Sequence, residues 1–300
     1  MADELELLRS ANPFTAEGPF YGDGPLDHHA ERRLNRLLLH ERRTGRRRLL
    51  WSLVAGVAVV ATAFTLLLGG PSGTPAVAAP RPLVVQAHST PVALKQLAAL
   101  AAAVAVDGTP ALRKGTHVQS WSLGMSDDKP PVTIPEERIV RWNADDSHTE
   151  RVVEHGHVLK ETTYPPSWSD VPPEARPPHD VAGLRAYLQE TAYSKTPLTT
   201  PELLDAVGEL LDHWTLGARE SAALARVLAG ADGLRPVGEV TDRLGRRGQA
   251  YVYQQSATRL MLIMDPATGA VLGMESTFTK DQPEYGVKAG AVMDYSAWTR

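Results

Sequence analysis

The chain contains no cysteine. Disulfides, thiolate nucleophiles, zinc–thiolate sites and iron–sulfur clusters are therefore excluded. Exported domains often use disulfides, but a core of sufficient size does without them. Charge of one sign is also lacking. The formal net charge of −4 is too small to steer a nucleic acid or an acidic substrate. Aromatic residues make up only 6% of the chain. No Gly-x-Ser-x-Gly elbow, P-loop or His-Glu-x-x-His helix is present.

What is present is an ordinary globular balance, 43% hydrophobic and 22% charged over 300 residues, enough for one or two domains and a real core. One stretch departs from that balance. Leu49 to Leu68 reads LLWSLVAGVAVVATAFTLLL, 20 residues without a charge. A helix crossing a bilayer core needs about 20 apolar residues at a rise of about 1.5 Å each. Arg42, Arg43, Arg46, Arg47 and Arg48 precede it, and no charge follows before Arg81. Basic flanks stay on the cytoplasmic side, which predicts an inside N-terminus and an outside C-terminal region. Ala76-Val77-Ala78 fits a signal-peptidase site. The run is nevertheless longer than a signal-peptide core, and nearly fifty residues precede it, which favours an uncleaved signal anchor in the cell membrane.

The segments around this anchor differ in character. Residues 1–48 form a tail that is acidic first (Asp3, Glu4, Glu6, Glu17, Asp23, Asp27, Glu31) and Arg-rich afterwards. A helix from Asp27 to about Arg43 would put Leu34, Leu37 and Leu38 on one stripe. Two readings stay open for it: a tail held at anionic headgroups, or a docking peptide for a cytoplasmic partner. Residues 69–89 read as a Pro/Gly/Ala tether, extended by Pro71, Pro75, Pro80 and Pro82.

Residues 90–300 read as the extracytoplasmic domain. Thr90 and Pro91 are expected to open a helix with Leu94, Leu97, Ala101 and Val104 on its stripe. Strands are expected over 117–123, 132–142, 150–154 and 157–163, with His155-Gly156 as a hairpin turn. After a Pro-rich loop at 165–178, Asp180 caps a helix carrying Leu184, Tyr187 and Leu188. Thr200-Pro201-Glu202 opens another, with Leu203, Val207, Leu210, Leu211 and Trp214 inward; a third runs from Ala218 to Ala229. Strands return at 235–240, 249–254, 259–265 and 270–279, the last two joined by the turn Asp265-Pro266-Ala267-Thr268-Gly269. Helix, antiparallel strands, helices and an antiparallel meander predict an α+β domain with its sheet packed on helices.

Several groups were weighed for chemistry. Ser126 and Lys129 have the spacing of a serine–lysine acylase, but Pro130 and Pro131 make the segment a turn rather than the helix that motif needs. His155 and His157, with His148 and Glu154 nearby, supply no fixed third ligand. Catalytic, cofactor and metal residues are accordingly assigned to none, and the protein is read as non-enzymatic. Trp121, Trp142, Trp168, Trp214 and Trp298 suit core packing, or else a groove for a lipid or glycan. Arg243, Arg246 and Arg247 read as a solvated turn, or else a contact for anionic lipid or wall polymer.

Three features together carry a resemblance: the stretch ending GEVTDRLGRRGQAY at Tyr251, the stretch LIMDPATGAVLG from Leu262 to Gly273, and the order of tail, Arg-rich flank, anchor, tether and domain. The whole resembles a poorly characterised family of single-pass membrane proteins of high-GC Gram-positive bacteria, commonly encoded beside extracytoplasmic-function sigma factors. The outer domain is also similar to periplasmic sigma-pathway regulators and lipoprotein carriers, curved half-barrels wrapped over helices. The resemblance implies a membrane-anchored sensor or regulator, with a sigma factor as partner of residues 1–48 and an envelope lipid or protein as ligand. The alternative it implies is an anchored carrier of a lipid-like ligand. The tail departs from anti-sigma domains in lacking their His/Cys zinc motif.

Overall fold

A computed structural model describes residues 80–299, apart from 127–128, 155–156 and 167–173. The tail, the proposed membrane helix at 49–68 and the tether up to residue 79 lie outside the described residues, as do His155 and Trp168. Among the described residues no helix is long and apolar enough to cross a membrane.

The fold is α+β. In chain order the elements are α1 (Leu94–Val104), β1 (Arg113–Ser126), β2 (Lys129–Trp142), β3 (His148–Glu154), β4 (His157–Tyr164), α2 (Val181–Thr191), α3 (Thr200–His213), β5 (Trp214–Thr215), α4 (Ala218–Leu228), β6 (Arg235–Thr241), β7 (Arg247–Gln254), β8 (Thr258–Met264), β9 (Val271–Phe278) and β10 (Val292–Thr299). The ten strands form one antiparallel sheet in the order β4-β3-β2-β1-β10-β9-β8-β7-β6, with β5 pairing β1. Two meanders are thus joined through one seam, β1 against β10, which pairs Val118 with Trp298 and Trp121 with Tyr295.

The helices have local causes. The Asp180 carboxylate accepts from the Gly183 N–H at 2.8 Å and caps α2. Thr199 and Glu202 form a capping box on α3, with Pro201 in the first turn. α1 starts later than the sequence suggests. Its N-cap is Ala93, because the Val92 N–H is held by Gln249 Oε1 at 3.2 Å, keeping Thr90 to Val92 out of the helix. Its buried stripe is Leu94, Leu97, Ala98 and Ala101, and Val104 is exposed.

All four helices pack on one face of the sheet, where Leu184, Leu188, Leu204, Leu210, Leu224 and Leu228 meet Val118, Tyr251, Leu262, Met274 and Trp298. The β8–β9 turn enters this layer. Gly269 has φ +70, and a Cβ there would lie 2.6 Å from that of Ala101. Trp214 is buried, but as the first residue of β5 against Lys114 and Gly115, not on a helix stripe. Arg138 is also buried here, with Nε 2.6 Å from Glu150 and an N–H to the Asp212 carbonyl at 3.2 Å; Asp212 Oδ1 accepts from Trp298 Nε1 at 3.0 Å. That network ties α3 to β2, β3 and β10.

The opposite face carries a smaller apolar cluster, Val240, Ala250, Met261, Ile263 and Leu272, covered by Leu83 and Val85. The end of the segment read as a tether is therefore part of the domain. Val85 bridges Val240, and the Gln86 N–H donates to the Glu239 carbonyl at 2.8 Å. The domain boundary moves back from residue 90 to about residue 81. Composition misled because a segment whose partners lie about 150 residues further along the chain reads as linker.

Candidate functional site

Cross-strand register builds a cleft on the helix-free face. Residues facing each other across antiparallel strands point to the same side. Trp121 faces Tyr295 on one side and Pro135 on the other; Gln119 faces Glu137, and Glu137 faces Val153. The β6–β7 turn lays Arg243 and Leu244 over this row, and the resulting cleft has a volume of about 290 Å³.

Its floor is aromatic. Trp121 and Tyr295 stack with centroids 6.1 Å apart, and the Arg243 guanidinium carbon lies 4.8 Å and 5.1 Å from the two rings. A guanidinium over ring faces is held by their negative quadrupole. The Arg243 backbone N–H donates to the Tyr295 hydroxyl at 3.1 Å, and burial raises that hydroxyl's pKa to about 12. The Arg243 side chain pairs with Glu275, whose side chain is 0% exposed. Burial pushes the Glu275 carboxyl above the usual range, while the Leu83 N–H and Arg243 pull it down. At the cleft's other end His117 Nε2 sits 2.6 Å from Glu137 Oε1.

The three arginines of the 242–248 turn thus divide. Arg243 sits on the cleft floor. Arg246 is a brace: it pairs with Asp242 and donates to the carbonyls of Trp298 and Leu272, each at 2.6 Å. Arg247 alone is largely in solvent, at 71% exposure, and pairs with Glu239. The solvated-turn reading holds for Arg247 and fails for the other two, whose charges are taken up inside the domain. The carboxylates that neutralise them, Glu275 and Asp242, are distant or masked by a short polar stretch in the sequence.

The other groups weighed from the sequence are scattered. Ser126 and Lys129 are register partners at the turn end of the β1–β2 hairpin. His157 pairs with Glu154 at one end of the β3–β4 hairpin, and His148 with Tyr164 at the other. His148 is instead the middle of an aromatic stack, 4.4 Å from Trp142 and 4.7 Å from Tyr164, with Lys114 Nζ 3.4 Å above Trp142. Among the described residues no group of three or more His, Asp or Glu is placed to hold a metal ion. The described tryptophans split as well: Trp214 and Trp298 are core, Trp142 is in the stack, and Trp121 lines the cleft.

Sequence reasoning reached Trp121 and Arg243 but not Tyr295, Glu275 or Glu137. The missing signal was β10, whose VMDYSAWT neither alternates cleanly nor runs apolar. Without β10 as a strand, nothing puts Tyr295 beside Trp121.

What the cleft can do chemically is recognise. It offers a ring face, a guanidinium, an amide from Gln119 and a carboxylate from Glu137, over a volume suited to one small group or side chain. Compared with protein-family models and with curated proteins, the chain matches none.

Proposed function

We propose that this protein is a non-enzymatic, membrane-anchored sensor or regulator. In this reading residues 1–48 lie in the cytoplasm, 49–68 form a single transmembrane helix, and the α+β domain lies outside with its sheet curved as a half-barrel around the helices. The domain binds an envelope component, and the tail reports to a cytoplasmic regulator, an extracytoplasmic-function sigma factor of the kind the family resemblance implies. The observation that carries the ligand-binding part is the cleft itself: an aromatic and ionic recess on the sheet face left free by all four helices. The observation behind the topology is the uncharged run of Leu49–Leu68 after five arginines in seven residues.

The carrier alternative draws less support. A lipid carrier of the half-barrel kind would hold its ligand between sheet and helices, and there the gap lined by Leu211, Trp214, Leu216, Val271 and Trp298 is about 20 Å³. That is room for about one water and far too little for a lipid chain.

Three experiments test the proposal. A reporter fused after Arg300 of the unmodified chain is expected outside the membrane; a cytoplasmic reporter would overturn the topology and the function with it. Replacing Arg42, Arg43, Arg46, Arg47 and Arg48 by neutral residues is expected to mix the orientations, since this cluster sets the inside flank. Capture with the full chain, compared with a chain lacking residues 1–48, is expected to retain a sigma factor only when the tail is present. Equal recovery by both chains would remove the signalling role.

A further inference from the structure

One side chain belongs to two structures at once. Arg243 lies on the rings of the cleft, and its guanidinium also donates to the Arg81 carbonyl at 2.8 Å and pairs with Glu275. Glu275 Oε1 in turn accepts from the Leu83 N–H at 2.7 Å. Arg81 and Leu83 begin a strap, residues 81–89, that crosses the helix-free face. The strap continues through the Val85–Val240 bridge, the Gln86 bond to Glu239 and a bond from the Glu239 N–H to Ser89 Oγ at 2.9 Å. Its seat is built for it. β6 bulges at Gly238, with φ +120, and a Cβ there would collide with Ser89 Oγ and lie 3.0 Å from Val85.

The strap is held lightly for what it covers. Leu83 and Val85 are its apolar anchors on Val240, Ala250, Met261, Ile263 and Leu272, and Val84 points out at 79% exposure. At its N-terminal end the polar ties all run through Arg243 and Glu275. Arg243 is the one cationic side chain lining the cleft, and its Nε is buried with no hydrogen-bond partner among the described residues. An anion in the cleft therefore meets a guanidinium leaning on Trp121, and turning that guanidinium brings a spare, otherwise buried donor into play. A guanidinium has a fixed fork of donors, so turning it toward a new carboxylate takes it from the old one.

We propose that Arg243 is a latch coupling the cleft to the strap: an anionic group entering the cleft takes Arg243 from Glu275 and from the Arg81 carbonyl, and the strap at 81–89 is released. This rests on the reading of the cleft as a ligand site and adds to it the ligand's charge and the consequence of binding. Glu275 follows the change. Buried and deprived of Arg243, its carboxylate takes up a proton, so the site exchanges one anion for another without stranding a charge. Nine released residues add up to about 30 Å of reach between the domain and the chain before it.

The absence of cysteine makes the test direct. The full chain carrying Val85→Cys as its one thiol is reacted with a maleimide and compared with Val84→Cys as the open reference. Val85→Cys is expected to label at least about tenfold more slowly than Val84→Cys, as a site that opens only transiently does. Adding Arg243→Ala is expected to bring it within about threefold of the reference. Glu275→Gln keeps an oxygen for the Leu83 N–H but removes the charge, and should give a smaller acceleration. Lys288→Ala, which breaks an exposed pair with Asp281, should give none. Phenylacetate, a carboxylate on a ring, is the probe for the unmodified cleft; it should accelerate Val85→Cys labelling where neutral phenylacetamide does not. Labelling unchanged by Arg243→Ala, or equally changed by both probes, overturns the latch. Should Arg243→Ala fail to fold, Glu275→Gln and the two probes decide the matter alone. Calorimetry on the same chain separates the two levels. Phenylacetate that binds without freeing the strap overturns the latch and keeps the cleft; a strap freed by Arg243→Ala while phenylacetate does not bind overturns the coupling and the ligand reading together.

Discussion

The two wings of the sheet are made by the same rule, antiparallel meander, and end up in opposite conditions. In β9 every residue from Val271 to Phe278 is buried, because helices cover one face and the strap and β6–β7 turn cover the other. In β4, six of eight residues from His157 to Tyr164 are exposed, and the strand forms the free edge of the sheet. The difference lies in what each wing has to pack against. The C-terminal wing buries on both sides and takes small or apolar residues at most positions, with Glu275 the paired exception in β9; Gly273 even faces the Ser296 carbonyl, 2.8 Å from where a Cβ would sit. The other wing buries Val118, Val140, Val152, Val153 and the ionic network of Arg138 with Glu150 and Asp212, half-buries one aromatic stack, and leaves most of β4 to water. Rigidity is thus concentrated on the side where the strap is seated, and the cleft lies at the seam between the wings.

The largest effect should come from the two-sided wing. Leu262 is fully buried beneath the helices in β8, opposite Met274. Leu262→Ala is expected to cost about 2–5 kcal/mol, since tightly packed neighbours collapse poorly into the gap. The measurement is denaturant unfolding of the full chain, followed by the change in midpoint at unchanged slope. A loss below about 1 kcal/mol would mean that this wing is no better packed than the other.

How far the sequence could be read follows the same division. The C-terminal strands were legible because β8 and β9 are apolar runs around an Asp-Pro-x-Thr-Gly turn, whose Asp265 accepts from the Ala267 and Thr268 donors as that pattern requires. α2 and α3 were legible from their caps. β1 and β2 were placed but cut short at their shared turn, since Pro130 and Pro131 argue against strand, yet both fall in one that runs from Lys129 to Trp142. What failed were features that depend on partners remote in sequence: β10 at the seam, the strap on β6, and Arg243 set between Glu275 and Tyr295. A charge at the tip of a turn reads as solvated until the carboxylate 32 residues away is placed beneath it.

In the open wing, pH should act locally. Burial holds the His148 imidazole below the usual histidine range; Glu174 and Glu150 pull it up, and Lys114 and Arg138 push it down. Its Nδ1 is buried without a hydrogen-bond partner among the described residues. A depressed pKa means that the folded state prefers the neutral ring, so stability is complete above the unfolded value of about 6.5 and is lost as pH falls through it toward the folded value. Hydrogen exchange in β3 and β4, corrected for intrinsic rate, should therefore rise between neutral and mildly acidic pH, while β8 and β9 stay protected. His148→Phe keeps the stack with Trp142 and Tyr164 and should abolish the pH response. A response that persists in His148→Phe, or that spreads to β8, would remove the local origin.

The smallest effect is the one that tests the comparison from its weak side. Leu159 is 62% exposed on β4, the strand at the free edge of the sheet. Its neighbours Lys160 and Glu161 put charge on that edge, which discourages pairing with another chain. Little apolar area leaves water when this leucine folds, so Leu159→Ser removes little, and serine is tolerated at an exposed strand position. The expected change in unfolding free energy is within about 0.5 kcal/mol, as for surface substitutions that touch no buried feature. The same denaturant experiment on the full chain reads it, beside Leu262→Ala. A loss of about 1.5 kcal/mol or more would say that Leu159 is covered in the intact protein, by residues 1–79, by the 167–173 segment or by a second copy. Repeating the measurement over a hundredfold range of protein concentration separates these, because stability that rises with concentration identifies a second copy and stability that does not identifies the chain itself.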